Sequence, residues 1–471
     1  MDLLVAGETP SEQKLLFTGS LIGSQSFRRR YDINYSYVAG SMYKGISSAK
    51  LVARMANKGF LSFIGSGGLS IDKLAEEIRL TRTFLATPAV FGINFISAID
   101  NPDYEHRLVE CILKHDISVV EASAFIRPSL ALVWFVVSGL SERDGLIVRK
   151  HRVIAKISRP EVLQALFQPA ATKFLDELVS LGKVTSDQVR LAKSVPLCID
   201  FCVEADSGGH TDKGISTVLY PAFKVLIKRL SASLPYVEKI HLGLGGGLGT
   251  PEAIAAAFVM GADFVTTGSI NQCTVESGTS ELVKDILQQV NVQDTAYAPA
   301  GDLFEIGSEI QVLKKGILFP NRAKKLFSLY NQYPSLEALP QKDQYLIEHT
   351  IFKQSIGQVW QQTRQYLIDT HQTNLLAVAE TNPKRKMALV FKWYFHYTNT
   401  LPLQGNEADR ENFQIHTGPA LGSFNLLVCG TQLEGWRNRH VDDIAKMLMM
   451  GAEKILSDRF YELKFKQTDA C

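Results

Sequence analysis

From residue 35 to residue 269 the chain repeats one pattern: a short apolar, β-branched run, a loop, then apolar residues at helical spacing. The runs fall at residues 35–38, 60–64, 90–96, 119–122, 153–157, 197–203, 240–244 and 264–267. They alternate poorly between polar and apolar, as strands covered on both faces do. Leu51, Val52 and Met55 mark a helix over residues 48–58, and another is expected over 71–81. Such alternation argues for parallel β-α units over hairpins. A doubly wound open sheet also fits it. Eight units with glycine loops after the last two favour closure into an α/β (β/α)8 TIM barrel.

One unit is oversized. Residues 158–196 form a helical insertion between strands 5 and 6, with Phe174, Leu175, Leu178 and Leu181 on one stripe and Thr185 at a helix start. Emerging near the active face, it would serve as a lid or substrate platform; an extended outer helix layer is the plainer alternative. The pattern divides the chain into an N-terminal segment (1–34), the barrel (35–330) and a mainly helical accessory region (331–471). Within the last, Thr381-Asn-Pro383 is a break, because the residue before a proline is biased away from helix. The terminal helix, 441–460, carries Ile444, Met447, Leu448 and Ile455 on one stripe. That stripe suits packing against its own chain, a homodimer contact or carrier-protein docking, with self-packing the default.

Composition adds exclusions. With 46% hydrophobic and 21% charged residues the 471-residue chain reads as globular. A net charge of +2 gives no reason to expect nucleic-acid or membrane-surface binding. No apolar stretch is long enough to span a bilayer, and the start lacks a signal-peptide pattern. The six cysteines show no paired C-x-x-C spacing, so no metal site or disulfide framework is expected and a cytoplasmic location follows by default.

The chemistry concentrates in loops after the last three strands. Gly245, Gly246 and Gly247 follow strand seven, and Thr250-Pro251 open a helix as N-cap and first residue. Thr267, Gly268 and Ser269 follow strand eight. Glycines let backbone amides approach an anion, so two such loops one unit apart point to a phosphate cradle. Ala39, Gly40, Ser41 and Met42 after strand one, Asn94 in strand three and Lys156 near the end of strand five have the chemistry for a flavin ring's polar edge. His210, preceded by Ser207, Gly208 and Gly209, is the candidate acid, base or proton relay. Glu204, Asp206 and Asp212 are the candidates to orient it. A hydrogen bond to the loop alone is the plainer role for His210, as is a surface ion pair for Lys156.

At these residues the chain resembles the nitronate monooxygenase-like flavoproteins, whose sixth loop reads glutamate-alanine-glycine-glycine-histidine. Here it is Glu204-Ala-Asp-Ser-Gly-Gly-His210, with Asp206-Ser207 interrupting the shorter form. Longer strings resemble the PfaD-type family, trans-acting enoyl reductases of polyketide and polyunsaturated fatty acid synthases. They are Tyr37-Val-Ala-Gly-Ser-Met-Tyr-Lys-Gly45, Thr267-Gly-Ser-Ile-Asn-Gln-Cys-Thr-Val-Glu276, Asn291-Val-Gln-Asp-Thr-Ala-Tyr-Ala-Pro-Ala-Gly-Asp302 and His416-Thr-Gly-Pro-Ala-Leu-Gly-Ser-Phe-Asn425. The resemblance implies FMN at the C-terminal face of the barrel, NADPH as hydride donor and an enoyl thioester on an acyl carrier protein as substrate. It gives His210 the proton and Lys156 the charge balance of the reduced flavin.

Three other readings compete. A nitronate-oxidising flavin oxidase would share cofactor and histidine but use oxygen. A barrel like inosine-monophosphate dehydrogenase needs a cysteine nucleophile after strand six, and residues 203–240 contain none. A non-catalytic docking subunit of a synthase would have no use for the glycines and His210.

Overall fold

The computed structural model describes residues 17–99, 101–232 and 238–465. Eight parallel strands close into a barrel: β1 (Tyr37–Ala39), β2 (Leu61–Ile64), β3 (Gly92–Ile96), β4 (Val119–Ser123), β5 (Arg152–Ile157), β6 (Asp200–Glu204), β7 (His241–Gly245) and β8 (Val265–Thr267). Each of the eight apolar runs supplies one strand, and β1 pairs with β8, Tyr37 opposite Val265. The open sheet is thereby excluded. Closure leaves no sheet edge unpaired, and every strand ends on the same face of the barrel.

The other end is plugged. Helix Gln25–Tyr31, capped by Ser24, sends Phe27 and Tyr31 under the strands, where Phe27 stacks on Phe264 with ring centroids 4.1 Å apart. Beside them Asp200, 1% exposed, accepts from Tyr31 Oη at 2.7 Å, meets His241 Nδ1 at 2.7 Å and pairs with Arg30. Burial alone would raise the Asp200 carboxyl, but His241 and Arg30 outweigh it and hold it below its ordinary value.

The insertion forms three helices, Pro160–Phe167, Thr172–Ser180 and Ser186–Ala192, the last with the Thr185 capping box. Its later part joins the outer layer. Lys183 lies over the Trp134 ring and pairs with Glu110, Gln188 Nε2 donates to the Ser138 carbonyl, and Arg190 pairs with Glu142 of the hairpin Leu140–Arg149. That hairpin precedes β5, so these contacts run toward the plugged end; the lid expectation gives way to the outer-layer one.

Only a four-residue helix, Ser269–Gln272, follows β8. The eighth place in the helical ring is taken by the terminal helix Val441–Phe465, which packs on Pro251–Val259 and Ala49–Asn57. Its Val441, Ile444, Leu448 and Met449 are fully buried in the barrel's own core. This helix thus closes the wall of the barrel.

Between β8 and that helix lies a second core, in which Phe304, Phe319, Phe391, Tyr394 and Phe395 pack together. Its sheet orders β9 (Thr295–Pro299), β10 (Glu309–Leu313) and the two-residue strand Gly209–His210. The sixth barrel loop is therefore stitched to the accessory region by backbone hydrogen bonds. Among the described residues no helix is long and apolar enough to cross a membrane, no cluster of His, Cys, Asp and Glu is arranged to hold a metal ion, and the five described cysteines are free.

Candidate active site

Three charged side chains stand at the C-terminal ends of neighbouring strands: Glu121 on β4, Lys156 on β5 and Glu204 on β6. Lys156 Nζ lies 2.5 Å from Glu204 Oε1, with the two side chains 18% and 29% exposed. Burial pulls the ammonium down, but Glu204 and Glu121 outweigh it and hold it above the usual lysine value. Glu121, 1% exposed, is tied from the other side by the Ser41 amide at 3.1 Å and the Ser41 hydroxyl. Asn94 Nδ2 donates to the Glu121 carbonyl at 3.2 Å and to Ser123 Oγ at 2.9 Å. Ser41, Asn94 and Lys156, far apart in sequence, thus form one network around Glu121.

His210 stands on the rim. Its Nε2–H donates to Asp302 Oδ1 at 2.9 Å, and its side chain is 38% exposed. Burial lowers its pKa, but Asp302 more than compensates and leaves the imidazole above its ordinary value; Asp302 itself lies below its own. None of the three expected orienting acids does this work. Glu204 holds Lys156, Asp206 accepts from Tyr297 Oη at 2.5 Å and Thr211 at 2.7 Å, and Asp212 binds Arg159 and Ser158. Asp302 comes from the turn after β9, 92 residues away. Its only sequence signal was its place at the end of the Asn291–Asp302 string.

The glycine loops meet beside this pair. Gly245 is buried within β7; Gly246 has φ +93°, and a Cβ there would also strike the Ala205 carbonyl oxygen at 2.6 Å, so the position needs glycine on both counts. A Cβ on Gly247 or Gly268 would meet nothing within 4 Å, so both backbones border open space. Gly208 passes so close to Thr417 that a Cβ would sit 2.7 Å from its backbone. Ser269 Oγ accepts from the Gly418 amide at 3.0 Å. Thr267 lies beneath: its hydroxyl is 2.6 Å from Tyr37 Oη and its carbonyl takes the Gly40 amide at 2.9 Å. Ala39 is fully buried, and the Met42 amide is bound by Ser47 Oγ at 2.8 Å. Those two line the loop as backbone, with Met42 packed against the core.

The strap 416–418 was not among the expected site residues. It brings Thr417, whose buried hydroxyl oxygen has no partner, next to Gly208 and Ser269, and the buried Gln311 Oε1 is likewise unpaired. Open glycine backbone with the unpaired Thr417 hydroxyl, a donor, beside it fits the phosphate of a mononucleotide.

Comparison with known proteins shows what the chain is similar to. A family model described as nitronate monooxygenase matches residues 28–300. A second, described as the inserted helical domain of [acyl-carrier-protein] S-malonyltransferase, matches residues 333–413. The polyketide biosynthesis protein PksE of Bacillus subtilis is 44% identical over 95% of the chain and 58% of its own length. ThaF of Burkholderia thailandensis, also a polyketide biosynthesis protein, is 44% identical over 94% of the chain and 38% of its length. A polyunsaturated fatty acid synthase component from Thraustochytrium is 36% identical over 88% of the chain and 28% of its length. The chain therefore spans well under two thirds of each of these relatives. Among solved structures, the enoyl reductase domain of MlnA from the macrolactin cluster of Bacillus amyloliquefaciens superposes with TM-score 0.89 at 41% identity, covering 94% of this chain and 99% of that one. FabK of Thermotoga maritima, at 16% identity and TM-score 0.54, shares the fold.

Proposed function

The chain belongs to the PfaD-type enoyl reductase family, within the wider nitronate monooxygenase family, and on that footing we propose that it is a trans-acting, FMN-dependent enoyl reductase. Its reaction would reduce the α,β-double bond of an enoyl thioester carried on an acyl carrier protein of a polyketide or polyunsaturated fatty acid synthase, with NADPH as hydride donor. When bound, FMN supplies the two-electron carrier between NADPH and the double bond.

The rest is work for the chain's own residues. The amides of Gly246, Gly247, Gly268 and Ser269, with Ser207 to Gly209 alongside, would hold the phosphate. Ser41, Asn94 and Lys156 would serve the ring's polar edge, Lys156 offering its charge while Glu204 and Glu121 keep it protonated. His210 holds a proton for the α-carbon once the β-carbon has taken hydride, and Asp302 orients it and keeps it charged. The reaction consumes one hydride from NADPH and one proton, which solvent returns to His210.

The observation that carries this reading is the His210–Asp302 pair on the same rim as the open glycine cradle. The 41% identity to the enoyl reductase domain of MlnA over 94% of this chain favours reduction over nitronate oxidation. The His210→Ala variant, with FMN content and turnover of a crotonyl thioester measured together, tests it. Retained FMN with turnover reduced about 100-fold or more is expected; retained FMN with full turnover rejects His210 as proton donor. The partners implied are carrier proteins in the cytoplasm.

A further inference from the structure

Two histidines, not one, border the cleft. Strand β10 pairs with Gly209–His210 through Ile310 opposite His210, and two residues on, Val312 bridges His416. Positions 310 and 312 share a face of the strand, and so do the side chains of residues directly opposite them. The His416 ring lies 4.7 Å from Tyr43 of the loop after β1, so it sits between the barrel and the accessory region.

The hydrogen bonds around His416 favour one tautomer. The Thr398 hydroxyl lies 3.3 Å from the Phe395 carbonyl and 3.2 Å from Gln414 Oε1; with Oε1 accepting from it, the amide's Nε2 faces His416 Nε2, at 2.7 Å, as a donor. His416 Nε2 is then the acceptor, and a neutral ring carries its proton on Nδ1. Burial, then the positive His210 and Lys44, push its pKa down to about 3 against the pull of Asp302, so the ring is uncharged at working pH. Nδ1 faces Gly209: a Cβ there would lie 3.6 Å away, and glycine leaves that approach open.

We propose that His416 is a second catalytic histidine, whose Nδ1–H binds the thioester carbonyl oxygen while charge collects on it. The inference rests on the enoyl reduction proposed above. Hydride addition at the β-carbon moves the π pair toward the carbonyl and leaves an enolate oxygen. His416 donates a hydrogen bond to that oxygen and keeps its own proton. His210 gives its proton to the α-carbon, the carbonyl re-forms, and the charge is gone. One histidine is charged and delivers; the other is neutral and stabilises. The division follows from their partners, a carboxylate for His210 and a donor amide for His416.

Two variants and one spectrum test this. In His416→Phe the donor is lost; in His416→Asn the amide nitrogen takes roughly the place of Nδ1. We expect His416→Phe to lower kcat for a crotonyl thioester about 100-fold, the effect of removing one such donor, with KM changed less than about threefold. His416→Asn should recover at least about tenfold of that loss. Bleaching of bound FMN by NADPH, which places no charge on a thioester oxygen, should keep its rate in both. Nitrogen-15 spectra of histidine-labelled wild type, recorded without substrate, should show one ring that stays a neutral Nδ1–H tautomer down to pH ~5, far above where burial beside two cations lets it charge, and its signal should vanish in both variants. Full kcat in His416→Phe, equal losses in both variants, or a His416 that titrates like a free imidazole or carries its proton on Nε2 would overturn the inference. Wild type that fails to reduce the thioester would instead reject the enoyl reductase reading itself.

Discussion

His210 Nε2 and Asp302 Oδ1 stand 2.9 Å apart across the junction between the sixth barrel loop and the accessory sheet. The carboxylate holds the His210 imidazole above its ordinary value, so the proposed proton donor stays loaded at a higher pH than a free histidine would. Asp302→Asn should shift the alkaline limb of the kcat/KM profile to lower pH and reduce kcat/KM above neutrality about tenfold or more. The sign for stability is the same. A raised histidine pKa stabilises the fold below the unfolded value, and that contribution fades as pH rises through the raised one. The melting-temperature difference between wild type and Asp302→Asn should therefore shrink on the alkaline side. An unchanged profile would show that the pair does not set the donor's charge.

The barrel was legible in the sequence because strands buried on both faces leave uninterrupted apolar runs, and each of the eight runs became a strand. His210 was legible because glycines flank it after a strand. Its partner was not: Asp206 and Asp212 are nearer in sequence, but Asp206 is engaged by Tyr297 and Thr211 and Asp212 by Arg159 and Ser158, most of them brought there only by folding. Nor was the closing helix. The stripe through Ile444 and Leu448 reports that a face is buried and says nothing of its partner, so 441–465 read as accessory when it forms barrel wall. Thr417 and His416 were visible as a motif, but only folding brings that strap against Gly208 and Ser269.

Gly268 offers the cleanest test of the cradle. A Cβ there meets no protein atom within 4 Å, so Gly268→Val should leave the melting temperature within a few degrees while filling the proposed phosphate site. FMN affinity, followed by flavin fluorescence quenching, should fall at least about tenfold, since amides must approach an anion closely. Unchanged affinity would move the phosphate elsewhere.

The plugged end predicts a stability effect without a catalytic one. Asp200→Ala removes the buried carboxylate that Tyr31, His241 and Arg30 share, leaving Arg30 its pairing with Glu238, and costs about 3–5 kcal/mol. Asp200 sits below its ordinary carboxylate value, so the stability it gives is present above the unfolded value and is lost as pH falls through the lowered one. Urea unfolding of wild type and variant should converge in acid, and kcat should not change, because the cluster lies at the end of the barrel opposite the cleft.

Leu448, fully buried where the terminal helix meets the barrel core, should cost about 2–5 kcal/mol when cut to alanine. Hydrogen exchange would locate the loss. If the terminal helix is barrel wall, protection falls in Pro251–Val259 and Ala49–Asn57 as well as in the helix; loss confined to the accessory core would contradict that placement.

The proposed reaction passes electrons from NADPH through a flavin held in this barrel to an enoyl thioester. The direct measurement is an anaerobic one: protein reconstituted with FMN is reduced by stoichiometric NADPH, then mixed with crotonyl-loaded carrier protein. The flavin absorbance should bleach on the first addition and return on the second, with butyryl carrier protein detected by mass spectrometry. A flavin that NADPH does not bleach, or that recovers only with oxygen and leaves the crotonyl group intact, would contradict the account.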